Sequence, residues 1–385
     1  MGPRAEGCGM KGKHLMPTTM LAARLHAIGA PMVVERMAVP KLRPGDARVK
    51  VQAAGVIPNF GGILAKWDEQ ITGMHLPPLP ASFGINAVGV VEEVDTEGLR
   101  IKAGDRVYVN PGIGCGICER CQQGAENECA DFIIAGYCGF GGRSRQRFER
   151  YPLGAWGEYV LAPERNLVPI PDKLKFDEAV RMGYLAAALS ALSCLNVGTQ
   201  SILVIDGATG KMGLSAVLIA LALNVGHVLA TGRRKDLLHR LKALAPDRID
   251  IWSLDDGPAA PWIRDHTAGR GADAAANFMG RGSSAQSVLD TIESLRRGGS
   301  FVNIGGTNGE LQLNMFRLMT SQLRLFGNNW FPTMRAREVA GLVQIERLDL
   351  SIFDQKRWAL ADINVALEPN RDANGGFSNL VLTVE

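Results

Sequence analysis

The chain predicts an α/β protein in two parts: a β-rich part with tight turns, and a doubly wound parallel sheet covered by helices on both faces. Three observations carry that expectation. Short β-branched runs broken by Gly and Pro fill the stretch from Leu21 to about Lys173, the pattern of short strands joined by turns. Beyond it, wholly apolar strands alternate with helical runs, and a strand apolar on both sides needs a helix layer above and below. Finally, 385 residues are enough to give each part its own core.

In the first part the strand runs are Pro31–Arg36, Ala47–Ala53, Ala87–Val94 and Asp105–Val109. The character changes at Asp177, where an Ala/Leu helix pattern runs to about Asn196 and leads into the apolar strand Ile202–Ile205. Helical runs then follow at Leu214–Leu223, Lys235–Leu244 and Gln286–Leu295, and strands at Val228–Ala230, Ile249–Trp252, Ser300–Ile304 and Leu323–Phe326. After Trp330 a helix over Met334–Ile345 leads to short mixed elements ending in a strand at Asn379–Val384. The expected division is an extension over 1–19, a first part over 20–176 rejoined by 331–385, and the sheet-and-helix part over 177–330.

The run SILVIDGATGKMGLSAVLIA sets Gly207, Gly210 and Gly213 between an apolar strand and an apolar helix. Such a motif is informative only in this strand–turn–helix context, where glycines let backbone amides reach a pyrophosphate at the helix N-terminus. A P-loop reading fails, because it needs glycine where Ile205 stands and Ser or Thr where Met212 stands. Candidate contacts to a dinucleotide are therefore Gly207, Thr209, Gly210, Lys211, Met212 and Gly213, with Gly305 after a later strand. Beyond the second strand an acid would bind the ribose hydroxyls of NAD. Here the window is Gly232-Arg233-Arg234-Lys235, with no carboxylate until Asp236. A small residue followed by cations suits a 2′-phosphate, so the expected coenzyme is NADPH.

Cys115, Cys118, Cys121 and Cys129 are spaced C-x2-C-x2-C-x7-C within GIGCGICERCQQGAENEC, at about 110–130. Four thiolates this close in sequence can enclose one soft divalent ion, and a site with four thiolates keeps no open position for chemistry. One structural zinc per chain is expected. Cys8, Cys138 and Cys194 are scattered, unlike a disulfide framework. Free thiols suit a reducing cytoplasm. A formal charge of +3 gives no reason to expect nucleic acid or an anionic membrane as partner, and the longest apolar run is too short for a bilayer span. Residues 1–19 lack an apolar core for a secretory signal and read as a disordered extension.

The cysteine spacing, the flanking KAGDRVYVNPGIGCGIC and GAWGEYVLAPERNLVPIPD, the glycine turn and the closing LADINVALEPNRDANGGFSNLVLTV together resemble the zinc-containing medium-chain dehydrogenase/reductase (alcohol dehydrogenase) family. The resemblance runs from about Met20 to the C-terminus. It implies a GroES-like catalytic domain interrupted by an NADPH-binding Rossmann domain, a small-molecule substrate in the cleft between them, and a homodimer or homotetramer formed by extending the coenzyme sheet through Phe301–Ile304 and Leu311–Asn314.

The resemblance also marks a departure. The family holds a catalytic zinc with three side chains, and the matching windows here are Gly55-Val56-Ile57-Pro58-Asn59-Phe60, Gly84-Ile85-Asn86-Ala87-Val88-Gly89 and Gly183-Tyr184-Leu185-Ala186-Ala187. Isoleucine stands at two ligand positions, and no Cys, His, Asp or Glu occupies the third window. Hydride transfer without that metal needs an acceptor that is already electrophilic, plus donors for developing charge and a proton. Asn59 and Tyr184 are the candidates, with water or the coenzyme ribose an equal source of the proton. Ile57, Phe60, Ile85 and Trp330 suggest an apolar pocket. Arg143, Arg145, Arg147 and Arg150 read as a solvated loop, and His75 as a surface-turn residue. The favoured reading is a reductase of activated C=C, C=N or C=O bonds. Interconversion of alcohol and carbonyl, and a non-catalytic NADPH-binding sensor, are the alternatives.

Overall fold

The computed structural model describes residues 17–57, 59–67, 73–95, 100–280, 282–307, 309–368 and 375–384. The extension expected over 1–19 lies outside the described residues up to position 16, and Thr19 already opens the first strand.

Ile202–Asp206 is the central parallel strand of a six-stranded sheet. The order is Ile249–Ser253, His227–Gly232, Ile202–Asp206, Ala272–Asn277, Leu295–Asn303 and Arg324–Gly327, and every pairing is parallel. This is the doubly wound order in which a dinucleotide lies across the strand C-termini. Helices Met182–Leu192, Lys211–Ala222 and Thr333–Gln344 cover one face, and Ala259–His266 and Ala285–Glu293 the other. Ala272–Asn277 escaped the sequence reading because ADAAAN has little β-propensity. It is a strand because both neighbours pair with it and its alanines are sealed from water on both faces, a tertiary override of local preference.

The first part is built on a seven-stranded sheet. Its order is Leu167–Pro169, Arg106–Val109, Ile85–Val94, Asp46–Gly55, Ser378–Thr383 and Asp354–Ala359, with Tyr159–Pro163 also on Asp46–Gly55. The C-terminal strand thus returns to the sheet made by the N-terminal third, pairing antiparallel with Asp46–Gly55.

Three expectations need correction. The helix expected from Asp177 to Asn196 is two helices, Phe176–Ala179 and Met182–Leu192. The break turns Arg181 inward, where its Nη2 donates to the carbonyls of Lys211 (3.2 Å) and Gly376 (3.0 Å). The sheet edge is Arg324–Gly327, whereas Phe301–Ile304 belongs to the flanked strand beside it and 311–314 form no strand; hydrogen-bonding groups already paired on both sides cannot extend a sheet. The arginines of 143–150 lie on and beside a helix, Ser144–Arg150, rather than in a loop. All four are engaged: Arg143 with Asp131, Arg145 with Glu149 (3.7 Å), Arg147 with the Gly114 carbonyl and Arg150 with the buried Asp46 (3.4 Å). His75 is exposed and bridges Gly139 through its backbone. Among the described residues no helix is long and apolar enough to cross a membrane.

Candidate active site and metal lobe

The four cysteines come together in a lobe where Gly112–Ile113, Ile133–Ile134 and Cys138–Gly139 form a small sheet. All four Sγ atoms lie within 4.8 Å of one another, and those of Cys115 and Cys121 are 4.0 Å apart. A tetrahedron with Zn–S bonds of about 2.3 Å requires sulfurs about 3.8 Å apart, so the set fits one zinc ion. Backbone N–H groups point at two of the sulfurs: Cys118 N–H donates to Cys115 (3.2 Å) and Cys115 N–H to Cys129 (3.3 Å). Burial opposes ionisation of Cys115, but the donors of Ile117 and Cys118 outweigh it and bring its thiol down to about 6. This is the only group of three or more metal-competent side chains among the described residues.

Glu126, between the third and fourth cysteines, sends its carboxylate to the N–H of Thr333 (2.6 Å), in the first turn of the helix that leaves the coenzyme sheet. Asn110 links the same places, donating to Thr333 Oγ1 and accepting from the Trp330 indole, each at 3.0 Å. The lobe therefore anchors the connector between the two sheets.

At the strand C-termini, Gly207 takes a left-handed φ of 73°, which costs a glycine little. A Cβ on Gly213 would overlap the Gly207 carbonyl, so only glycine lets the helix start this close to the strand. Gly207, Thr209, Gly210, Gly232 and Arg233 line one cavity of about 440 Å³, with Asp255, Phe278 and Met279 on its other walls. Lys211, Met212, Gly213, Arg234 and Gly305 are not on that wall. Arg234 is tied to Asp236 (2.6 Å) and Lys235 to Asp256 (2.6 Å). Gly305 donates its N–H to the Asn277 carbonyl at the end of the neighbouring strand (2.9 Å). Asp255 was not foreseen; it follows the third strand, outside the window where an acid is sought.

Beneath the turn lies an excess of positive charge. The Lys211 Nζ and the Arg181 Nε and Nη1 are sealed from solvent and have no hydrogen-bond partner. Burial first, and then the neighbouring Arg181 and Lys356, push the Lys211 amine down to about 7. Orphaned cations beside a 12-residue helix N-terminus are the complement of a pyrophosphate. A dinucleotide fits these residues.

Where the resemblance places a second metal, the described residues pack otherwise. Ile57 and Ile85 are 9% exposed. The Asn86 Oδ1 accepts from the buried Tyr108 hydroxyl (2.9 Å), and a Cβ on Gly183 would overlap that oxygen and lie 2.7 Å from the Tyr108 hydroxyl. Amide and phenol thus fill the space a ligand side chain at 183 would need. Tyr108 was missed by sequence reasoning, since nothing local marks it. Tyr184 sits beside this group with its ring 5.0 Å from the Arg181 guanidinium, which also packs 4.2 Å from Phe353. Burial raises the Tyr184 pKa, keeping its hydroxyl a donor at neutral pH. Asn59 is exposed, takes a left-handed φ of 54° and precedes the short helix Phe60–Ala65 without capping it. Phe60 is not a pocket wall. It is 1% exposed, wedged edge-on between Phe83 (5.1 Å) and Trp156 (5.2 Å), because burying its ring in the aromatic core outweighs facing the cleft.

A doubly wound sheet with a glycine turn, joined to a β-rich domain bearing a four-thiolate lobe, defines a two-domain oxidoreductase that uses a nicotinamide dinucleotide. The comparisons name its family. Residues 43–172 match the family described as "Alcohol dehydrogenase GroES-like domain" and residues 212–344 that described as "Zinc-binding dehydrogenase". The chain belongs to the medium-chain dehydrogenase/reductase family. It is 27% identical over 341 residues to a sorbitol dehydrogenase of Bacillus subtilis, covering 87% of this chain and 90% of that one. It is 28% identical over 322 residues to an alcohol dehydrogenase of Geobacillus stearothermophilus, covering 80% and 84%. A solved NAD-dependent alcohol dehydrogenase superposes with a TM-score of 0.78 at 26% identity, covering 95% of this chain and all of that one.

Proposed function

We propose that the protein is an NADPH-dependent reductase that transfers hydride to an activated C=C, C=N or C=O bond of a small hydrophobic substrate without a catalytic zinc. The observation that carries this reading is the trio Tyr108–Asn86–Gly183, which fills the space at the start of the third ligand window, while buried isoleucines stand at the first two ligand positions. Bound NADPH would supply the hydride. The chain's own task is to hold the acceptor against the nicotinamide, keep water away with Ile57 and Ile85, and meet developing negative charge with donors. Tyr184, kept protonated by burial, and Asn59 are the proposed donors; Gly207 and Gly210 hold the pyrophosphate, and the cations of Lys211 and Arg181 beneath the turn attract its charge.

The alcohol dehydrogenase and sorbitol dehydrogenase among the relatives favour a second reading, interconversion of alcohol and carbonyl. Metal content, together with NADPH oxidation on a cyclic enone and a simple ketone followed by product identification, separates the two. One zinc per chain and a saturated ketone from the enone are the expected results. Two zincs per chain, or NADPH oxidation on the simple ketone but not on the enone, would sink the first reading.

NADPH is favoured over NADH because Arg233 alone of the Arg-Arg-Lys run lines the cavity and has no carboxylate partner among the described residues. Asp255 on the same wall works against a 2′-phosphate. Replacing Arg233 by Ala should lower kcat/KM for NADPH about 10–100-fold, the worth of one or two charge-assisted hydrogen bonds, and leave NADH nearly unchanged. Asp255→Asn should move preference further toward NADPH. Equal losses with both coenzymes in Arg233→Ala would refute the assignment.

A homodimer through the edge strand Arg324–Gly327 is part of the proposal. Among the described residues that edge is unpaired, and Met315, Phe316 and Met319 beside it are 67%, 72% and 64% exposed, an apolar patch that monomers seldom present. Light scattering on wild type and on Phe316→Asp tests it: a monomeric wild type rules the dimer out.

A further inference from the structure

On the catalytic domain, away from the glycine turn, three arginines from three different elements face one pocket. Arg100 lies ahead of strand Arg106–Val109, Arg165 in the short turn Glu164–Asn166, and Arg337 in the second turn of the connector helix Thr333–Gln344. The pocket holds about 230 Å³ and its floor is apolar, made by Ile101, Leu167 and Pro169. Among the described residues Glu164 is the one acid on its wall.

None of the three guanidiniums forms an ion pair among the described residues. Arg337 Nη2 donates to the Arg165 carbonyl (2.9 Å) and Arg165 Nη2 reaches the Gly114 carbonyl (3.4 Å), so their hydrogen bonds go to neutral acceptors. Burial, and then the field of Arg100, lower the Arg337 pKa. Glu126 is the acid that faces Arg337 from the cysteine lobe, and its carboxylate is already committed to Thr333 N–H. Folding has thus assembled three like charges around a concavity that has one acid among the described residues.

We propose that this pocket is an anion site, separate from the coenzyme cavity, that takes a phosphate group. Guanidinium forks bind tetrahedral oxyanions bidentately, and three of them around a small pocket suit a dianion better than a carboxylate. The apolar floor leaves room for the short carbon body of a phosphate monoester. An occupied site would join the catalytic sheet to the connector helix, the element that the cysteine lobe also grips through Glu126.

Titration calorimetry and thermal unfolding with inorganic phosphate, against chloride at equal ionic strength, test the proposal. The probes are run on wild type, on the surface double variant Arg100→Gln/Arg337→Gln, and on Arg233→Ala, which alters the coenzyme cavity instead. Saturable binding and a higher melting temperature are expected in wild type and Arg233→Ala, with at least tenfold weaker binding in the double variant. Tighter binding of glycerol 3-phosphate than of inorganic phosphate would identify an ester as the source; the reverse order would identify the free ion. The proposal fails if phosphate acts as chloride does, or if the double variant binds as wild type.

Discussion

Two places in this molecule correspond to metal positions of the family, and they have fared differently. The cysteine lobe keeps four sulfurs within 4.8 Å, supplied by one segment of 15 residues. The second place is assembled from three distant segments, and all three now offer groups that do not suit a metal: Ile57, Ile85 with Asn86, and Gly183. The difference teaches what each is for. The lobe holds the connector helix through Glu126 and Asn110, so losing it would loosen the joint between the sheets. A metal at the other place would polarise a substrate, and under the proposed function an acceptor that is already activated makes it dispensable.

The largest effect should come from breaking the lobe. Cys129→Ser, or removal of the ion with a strong chelator, should take zinc from one per chain to none. The folding free energy of structural zinc lobes is tied to their metal, so the melting temperature should fall by many degrees and the 115–129 segment should become open to protease. Element analysis and limited proteolysis read both. A variant without metal that melts as wild type would show that the lobe does not anchor the connector.

Rebuilding the other place should fail. Gly183→Glu in an Ile57→Cys/Ile85→His background supplies three ligand types, yet the new side chain meets the Asn86 amide and the Tyr108 hydroxyl. Overpacking of this kind costs about 1–3 kcal/mol. Metal content should stay at one per chain and the melting temperature should fall. Recovery of a second bound ion would mean that the Asn86–Tyr108 pair yields easily.

Lys211 gives an effect of middle size, visible through pH. Its folded value of about 7 lies below its ordinary 10.5, so between those values the unfolded chain holds more protons and folding stability rises with pH. An adjacent pyrophosphate reverses the pressure by stabilising the ammonium. Coenzyme binding should therefore take up a proton above pH 7, and affinity should weaken by up to about tenfold per unit toward alkaline pH. In Lys211→Met that slope should flatten while the protein stays folded. Fluorescence titration from pH 6 to 9 reads it; parallel slopes in both proteins would remove Lys211 from the coenzyme site.

What was legible in the sequence follows the same division. The glycine turn and the cysteine lobe could be read because strand, turn and helix, or four ligands, are contiguous, so spacing alone carries their geometry. The isoleucines at 57 and 85 showed that metal ligands were missing, but not what had filled the gap. Tyr108 meets Asn86 across 22 residues, and Gly183 joins them from another domain element; no periodicity relates the three. Asp255 went unseen because it follows the third strand instead of the second. Arg181 looked like part of a continuous helix, and only the fold turns it inward.

The smallest effect isolates the contact that replaced the metal ligand. Tyr108→Phe keeps the ring in place and removes only the hydroxyl, leaving Asn86 Oδ1 buried, at 2% residue exposure, without its donor. The loss should be about 1–3 kcal/mol, the usual penalty for an orphaned buried acceptor. Adding Asn86→Gly, which tolerates the left-handed φ of 61° at this position, should recover part of it, since removing both polar partners is milder than orphaning one. Denaturant unfolding of the single and double variants measures the coupling. If the two changes simply add, the phenol and the amide do not act as a unit, and the gap at position 183 is held open by packing alone.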